Sequence, residues 1–176
     1  MSAARDRLLQ TATRLFYAEG IHTVGVDRVI AEAGVAKATF YKHFPSKDDL
    51  VVAYLNDEWD RQRALMENLP SQGVARIRAV FTEFAEVSCG PGFRGCLFLN
   101  AAAEFHAPAH PARRVIDGYR TWFRALMRDL LAADARPDPE RKADFLLLAR
   151  DGITVGGGLG DQAAVNAGVA AALAAL

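Results

Sequence analysis

Residues 25–47 read GVDRVIAEAGVAKATFYKHFPSK, and the fold is decided there. Val26, Val29, Ile30 and Ala33 share the inner side of a short helix that Gly34 breaks. A glycine at that point lets the chain take a positive φ and swing a second helix across the first. The second helix is expected from about Ala36 to Phe44; Pro45 stops it, because proline disfavours helix in the residue before it. Ala38, Phe40 and Phe44 are expected to bury, while Lys37, Thr39, Tyr41, Lys42 and His43 face outward. Solubility alone would favour Glu/Lys pairs on such a face. A DNA major groove explains it better. Lysines meet phosphates or guanine edges, a hydroxyl or methyl meets a base edge, and a tyrosine hydroxyl meets a phosphate oxygen. No acid stands between Glu32 and Asp48, so phosphate is not repelled there.

The helical period continues on both sides. Leu8, Leu9, Ala12, Leu15 and Phe16 lie on one face of a preceding helix, which Gly20 is expected to end as a left-handed cap. Ser46 is a good cap for the following helix, with Asp48 and Asp49 in its first turn, where the dipole favours acids. That helix runs to about Asn68. Beyond it, Val74, Ile77, Phe81, Phe84 and Val87 step by three or four, and CGPGFRG breaks the pattern before a short apolar helix from about Cys96 to Phe105. Val115, Ile116, Tyr119, Trp122, Phe123, Leu126, Met127, Leu130 and Leu131 mark a long helix. Two more are expected, from Glu140 to about Gly156 and from Asp161 onward. No stretch reads as a strand pair. The expected fold is all-α with about nine helices: a three-helix helix-turn-helix domain over residues 1–47 and a second helical domain over 48–176.

The chain has 176 residues, 51% of them apolar and 24% charged, which argues for a folded core. Twenty-one Lys+Arg balance 21 Asp+Glu, so a uniformly basic coat for nucleic acid is excluded. The balance is uneven: residues 1–47 hold seven basic residues against four acids, a local +3, leaving −3 for the remainder. Such a split suits two jobs in one chain. No signal peptide or membrane span is apparent, since the apolar tail after Ile153 is interrupted by glycines, Asp161, Gln162 and Asn166. The expected location is the cytoplasm.

The first 50 residues resemble the amino-terminal domain of the TetR family of bacterial transcriptional repressors. The matching features are LLQTATRLFYAEG, Gly34, the run Thr39-Phe40-Tyr41-Lys42-His43-Phe44, and Ser46-Lys47-Asp48-Asp49-Leu50. The resemblance implies that Lys37, Thr39, Tyr41, Lys42, His43 and Lys47 touch DNA. Tyr41 and Lys47 would grip phosphates; Lys37, Thr39 and His43 would reach base edges or their flanks. Two departures stand out. Ala36 replaces the Ser or Thr that often caps the recognition helix, and Asp27 stands where some members carry a basic residue. The resemblance further implies a homodimer through the carboxy-terminal helices, a palindromic double-stranded operator, and release by a small hydrophobic or aromatic effector. Two recognition helices would then lie about 34–36 Å apart on successive grooves.

For the interface, Gly152, Gly156, Gly157, Gly158, Gly160, Ala163, Ala164, Gly168, Ala170, Ala171, Ala172 and Ala175 permit close approach, with Leu148, Ile153, Val155, Leu159, Val165, Val169 and Leu173 supplying apolar area. For the effector, the candidate residues are Phe81, Phe84, Phe98, Asn100, Tyr119, Trp122, Phe123 and Asp151, aromatic walls with a few polar groups among them. Glu104, His106 and Arg120 are further polar candidates. Cys89 and Cys96 flank the CGPGFRG loop and allow an alternative, a repressor that answers to thiol oxidation. His106 and His110 could join them around zinc, but Pro108 between the histidines disfavours the helical register such a site needs. No nucleophile elbow or dinucleotide fingerprint is present, and GGGLG has the wrong spacing for the latter. No catalytic residue, metal or cofactor is expected. A helical ligand carrier or enzyme would be the reading from another class.

Overall fold

The computed structural model describes residues 2–176, and its regular structure among them is entirely helical. The elements are α1 (Ala3–Glu19), α2 (Val26–Ala33), α3 (Lys37–His43), α4 (Lys47–Glu67), α5 (Gly73–Ser88), α6 (Leu97–Glu104), α7 (Pro111–Ala133), α8 (Pro139–Gly158) and α9 (Gln162–Ala174). The chain divides into two compact units. The first runs from the amino terminus to Asp60 and adds Asn100–Ile116; the second holds Arg61–Leu99 and Asp117–Leu176. The first unit thus contains all of residues 1–47, together with chain that the sequence pattern groups with the second domain. Leu50, Val51, Tyr54 and Leu55 of α4 and Phe105, Ala112 and Ile116 are all buried.

In the first unit, α1 buries Leu8, Leu9, Ala12, Leu15 and Phe16, α2 buries Val29, Ile30 and Ala33, and α3 buries Phe40. Phe16 meets Tyr54 edge-on with ring centres 5.7 Å apart. Gly34 takes φ +62° and ψ +42°, the left-handed region, and its N–H donates to the Ala31 carbonyl, closing α2. Gly20 differs from expectation: φ is +91° but ψ is +150°, so the chain leaves α1 extended instead of through a left-handed cap. The cause is a partner distant in sequence. Extended exit presents the amides of Ile21 and His22 to the Glu104 carboxylate, which accepts both at 2.8 and 2.5 Å.

The second unit buries a continuous apolar core from Met66 through α5, α7, α8 and α9, including Ile77, Phe81, Phe123, Met127, Leu131, Leu146, Ile153 and Val165. Gly157 permits the close approach of α8 to the end of α5. A Cβ there would sit 2.6 Å from the Ser88 carbonyl oxygen. Asp161 caps α9 by accepting from the Ala164 amide at 2.9 Å. No helix among the described residues is long and apolar enough to cross a membrane.

Candidate nucleic-acid interface and effector site

Helix α3 is held from behind by two aromatic anchors. Phe40 is wholly buried and lies 6.0 Å from the buried ring of Phe44. The Arg5 guanidinium stacks 5.2 Å from the Phe44 ring centre and ties the end of α3 to α1. With that face pinned, Lys37, Tyr41 and Lys42 are exposed, and Thr39 and His43 are half-buried. Tyr41 packs its ring edge-on against Phe40 at 5.1 Å while its side chain remains accessible. Ala38 is a correction: it is exposed, because the short helix turns only Phe40 inward. Ala36 provides no side-chain cap, as its composition dictates; the Thr39 amide bonds the Ala36 carbonyl in a tight first turn.

Two cations of this surface have protein partners. Lys37 Nζ donates to Asp27 Oδ1 at 2.9 Å, and both side chains are exposed. The bond to Asp27 raises the Lys37 pKa above the ordinary lysine value. Lys47 stands half-buried at the start of α4, 3.5 Å from the His22 carbonyl. Burial lowers its pKa, and the nearby carboxylates of Glu104 and Asp48 oppose that. Ser46 and Asp49 close a reciprocal cap beside it: the Asp49 amide donates to Ser46 Oγ, and that hydroxyl donates to Asp49 Oδ2. Elsewhere in this unit, Arg28 bonds Glu19 and Glu32, and Arg14 also bonds Glu32, lacing α1 to α2.

The second unit concentrates charge where the aromatic residues meet. Arg150 is buried. Its Nη2 donates to Cys96 Sγ at 2.9 Å and to the Tyr119 hydroxyl at 3.1 Å, and its Nη1 donates to Asp151 Oδ1 at 2.9 Å. Its guanidinium carbon lies 5.0 Å from the Tyr119 ring centre, 5.6 Å from that of Phe123 and 5.7 Å from that of Phe84. Burial opposes the charge, but Cys96, Tyr119 and Asp151 outweigh it and raise the pKa above the ordinary arginine value. The Nε of Arg150 is buried without a hydrogen-bond partner. Leaving such a donor unmet costs on the order of 1–3 kcal/mol. The other oxygen of Asp151 is 2.6 Å from Arg120 Nη1, so one carboxylate bridges two guanidiniums.

Of the effector candidates, Phe81, Phe84, Phe98, Tyr119, Trp122, Phe123 and Asp151 belong to this unit. Phe98 stacks on Tyr119 at 3.9 Å, Trp122 lies 5.7 Å from Tyr119, and Phe84 links Phe81 to Phe123. Asn100 is exposed and belongs to the first unit. Glu104 belongs there too, on the amides of residues 21 and 22. His106 is exposed, and His110 lies 3.2 Å from Asp48 with its Nδ1 accepting from the Ala112 amide. Cys89 and Cys96 are both free thiols, Cys89 half-buried and Cys96 buried.

Residues 8–54 match the sequence family described as bacterial regulatory proteins, tetR family. Residues 73–171 match the tetracyclin repressor-like C-terminal domain. The chain belongs to the TetR family of transcriptional regulators. The crystal structure of SCO4454, a TetR-family transcriptional regulator from Streptomyces coelicolor, is 42% identical with a TM-score of 0.87, covering 97% of this chain and 94% of that one. The HTH-type transcriptional regulator LmrA of Bacillus subtilis is 31% identical over 68% of this chain and 66% of its own length, just under two thirds. The HTH-type transcriptional repressor DhaR of a Mycobacterium species is 26% identical over 84% of this chain and 79% of its own. The α1–α3 unit is accordingly the helix-turn-helix of a DNA-binding transcriptional regulator.

Two features of this TetR-family chain bear on its carboxy-terminal half. Phe145, Leu148 and Val155 of α8 and its cap residue Leu159 are exposed, and with Gly152 they recur every three or four residues on one face. Ile153, Val165 and Val169 are a correction: each is buried in the unit's own core and adds nothing to an outer surface. Arg150 is the site residue that sequence reasoning missed. A signal existed, because it follows Leu146 by four and precedes Ile153 by three, a core register occupied by a charged residue.

Proposed function

We propose that this regulator is a homodimeric repressor of a palindromic operator, released by a small hydrophobic or aromatic effector bound in its second unit. The observation that carries the DNA side is the face of α3. Tyr41 and Lys42 stand exposed, Lys37 is held by a carboxylate that water also reaches, and Phe40 fixes the helix from within. Tyr41 and Lys47 would hold phosphates, with Lys42 alongside, while Thr39, His43 and Lys37 meet base edges or their flanks. Dimerisation through α8 and α9 is supported by the apolar stripe of Phe145, Leu148, Val155 and Leu159, since exposed apolar faces of this kind mark association surfaces. The word repressor in the name of DhaR supports repression as the output. Such a protein acts in the cytoplasm, where its DNA lies, and needs no catalytic step.

The test is binding to the DNA upstream of its own gene. The dimer should protect an inverted repeat, and affinity should fall steeply with salt, because phosphate neutralisation releases counterions. Absence of any protected repeat, or a monomer at micromolar concentration, overturns the proposal. A second reading keeps the DNA end and replaces the effector by oxidation of Cys89 and Cys96. Its support is the Arg150 contact to Cys96 Sγ, through which a change at sulfur would reach the buried polar cluster. Peroxide should then release DNA from the wild type and from neither Cys89→Ser nor Cys96→Ser.

A further inference from the structure

Arg150 already uses both terminal nitrogens on Cys96, Tyr119 and Asp151, and its Nε remains buried without an acceptor. Arg120 shares the same Asp151 carboxylate. Across these three side chains there are two positive charges and one negative charge, with Arg150 buried and Arg120 and Asp151 partly so. Three aromatic rings lie within 5.7 Å of the Arg150 guanidinium carbon. A buried donor, an excess cation and aromatic walls together specify a partner of defined chemistry.

We infer that Arg150 and Arg120, with the rings of Phe84, Tyr119 and Phe123, form a site for a small organic carboxylate carrying a flat apolar body. The carboxylate accepts from Arg150 Nε and neutralises the excess charge; the flat body lies against the rings. A phosphate dianion fits less well, because it asks for several donors and brings no apolar surface. A primary amide of the same shape offers an acceptor but directs its own N–H groups at guanidiniums that cannot accept. This deepens the proposed function and rests on its placing of the effector in the second unit.

The experiment uses the full chain and four carboxylate probes, benzoate, phenylacetate, cinnamate and sorbate, each paired with its primary amide. Binding is read by calorimetry and by the rise in melting temperature. At least one carboxylate should bind at least tenfold more tightly than its amide. Arg150→Gln should erase that preference. If Arg150→Gln does not fold, Arg120→Gln, at a half-buried position, should weaken the carboxylate at least threefold while leaving its amide unchanged. Three outcomes overturn the inference: equal binding of every acid and its amide, an Arg120→Gln variant with unchanged preference, or no binding of any acid at about 10 mM, where even a millimolar ligand would occupy most sites. Binding to upstream DNA without any probe is measured in parallel. Loss of that DNA binding sinks the regulator reading, whereas intact DNA binding with no acid preference sinks the carboxylate alone.

Discussion

Two ion pairs of the same formal kind serve opposite purposes in this molecule. Lys37–Asp27 sits at the edge of the recognition helix with side chains 63% and 81% exposed. Arg150–Asp151 sits in the second unit with side chains 2% and 17% exposed. An exposed pair is weak because water competes for both charges. On the proposed DNA-binding surface such a pair would open when phosphate arrives, at little cost to the fold. A buried pair has less competition from water, and removing Asp151 would leave the buried Arg150 charge without its carboxylate. The Lys37–Asp27 pair therefore stays exchangeable, and the Arg150–Asp151 pair is committed.

The largest test of that contrast is Arg150→Met, which removes the hydrogen bonds to Cys96, Tyr119 and Asp151 in one step. It should destabilise the second unit by about 3 kcal/mol in urea unfolding, the low end for a broken buried pair, because Asp151 keeps Arg120. A loss below about 1 kcal/mol would place the pair in the same class as the surface one. Next comes the DNA surface. Thr39→Ala or Lys37→Ala should weaken binding and relax sequence preference, a change of about 1–3 kcal/mol for a base contact, whereas Tyr41→Ala and Lys47→Ala should weaken all duplexes alike. Uniform losses for all four would contradict the division of roles. Gly34→Ala should cost about 1–2 kcal/mol of stability in the first unit, since only glycine takes its left-handed backbone without strain. Thermal unfolding measures it.

The smallest effects belong to the exposed charges. Asp27→Asn should change stability by less than about 1 kcal/mol. The same variant should raise affinity for every duplex, because Lys37 no longer shares its charge with a carboxylate; unchanged affinity would remove Asp27 from the account. Arg28 and Arg14 act similarly on the α1–α2 lacing. The bond from Arg28 lowers the Glu19 pKa, and the bonds from Arg14 and then Arg28 lower that of Glu32, each from an ordinary 4.5. A lowered folded-state pKa means the contribution is present above the unfolded value and is lost as pH falls through the folded one. Glu19→Gln with Glu32→Gln should therefore lower first-unit stability slightly at neutral pH, where the contribution is present, leave it unchanged at low pH, where both carboxylates are protonated, and so flatten the acid limb.

Most of the first unit is legible in the sequence because its signals are local. Gly34, Pro45, Ser46 and the apolar spacing of α1 each act within a turn or two, and the helices lie where these residues place them. Ala38 departs from the pattern because a seven-residue helix has room for one inward anchor, and Phe40 takes it. Gly20 defies a local reading because its ψ answers to Glu104, more than 80 positions along the chain. The aromatic set of the second unit is visible as composition, but its organising centre is not. Arg150 bonds Cys96 and Tyr119, separations of 54 and 31 residues, and no periodicity announces such partners. Ile153, Val165 and Val169 show the same limit: their spacing marks an apolar face but not which body covers it.

In the proposed complex α3 enters duplex DNA with Tyr41 and Lys42 toward it. Fluorescence anisotropy on the upstream inverted repeat and on a scrambled duplex, over a salt series, tests it most directly. The wild type should prefer the repeat, with log affinity falling linearly against log salt; Lys42→Ala should make that slope shallower by about one unit. Equal affinity for both duplexes, or a slope untouched by Lys42→Ala, would contradict that placement of α3.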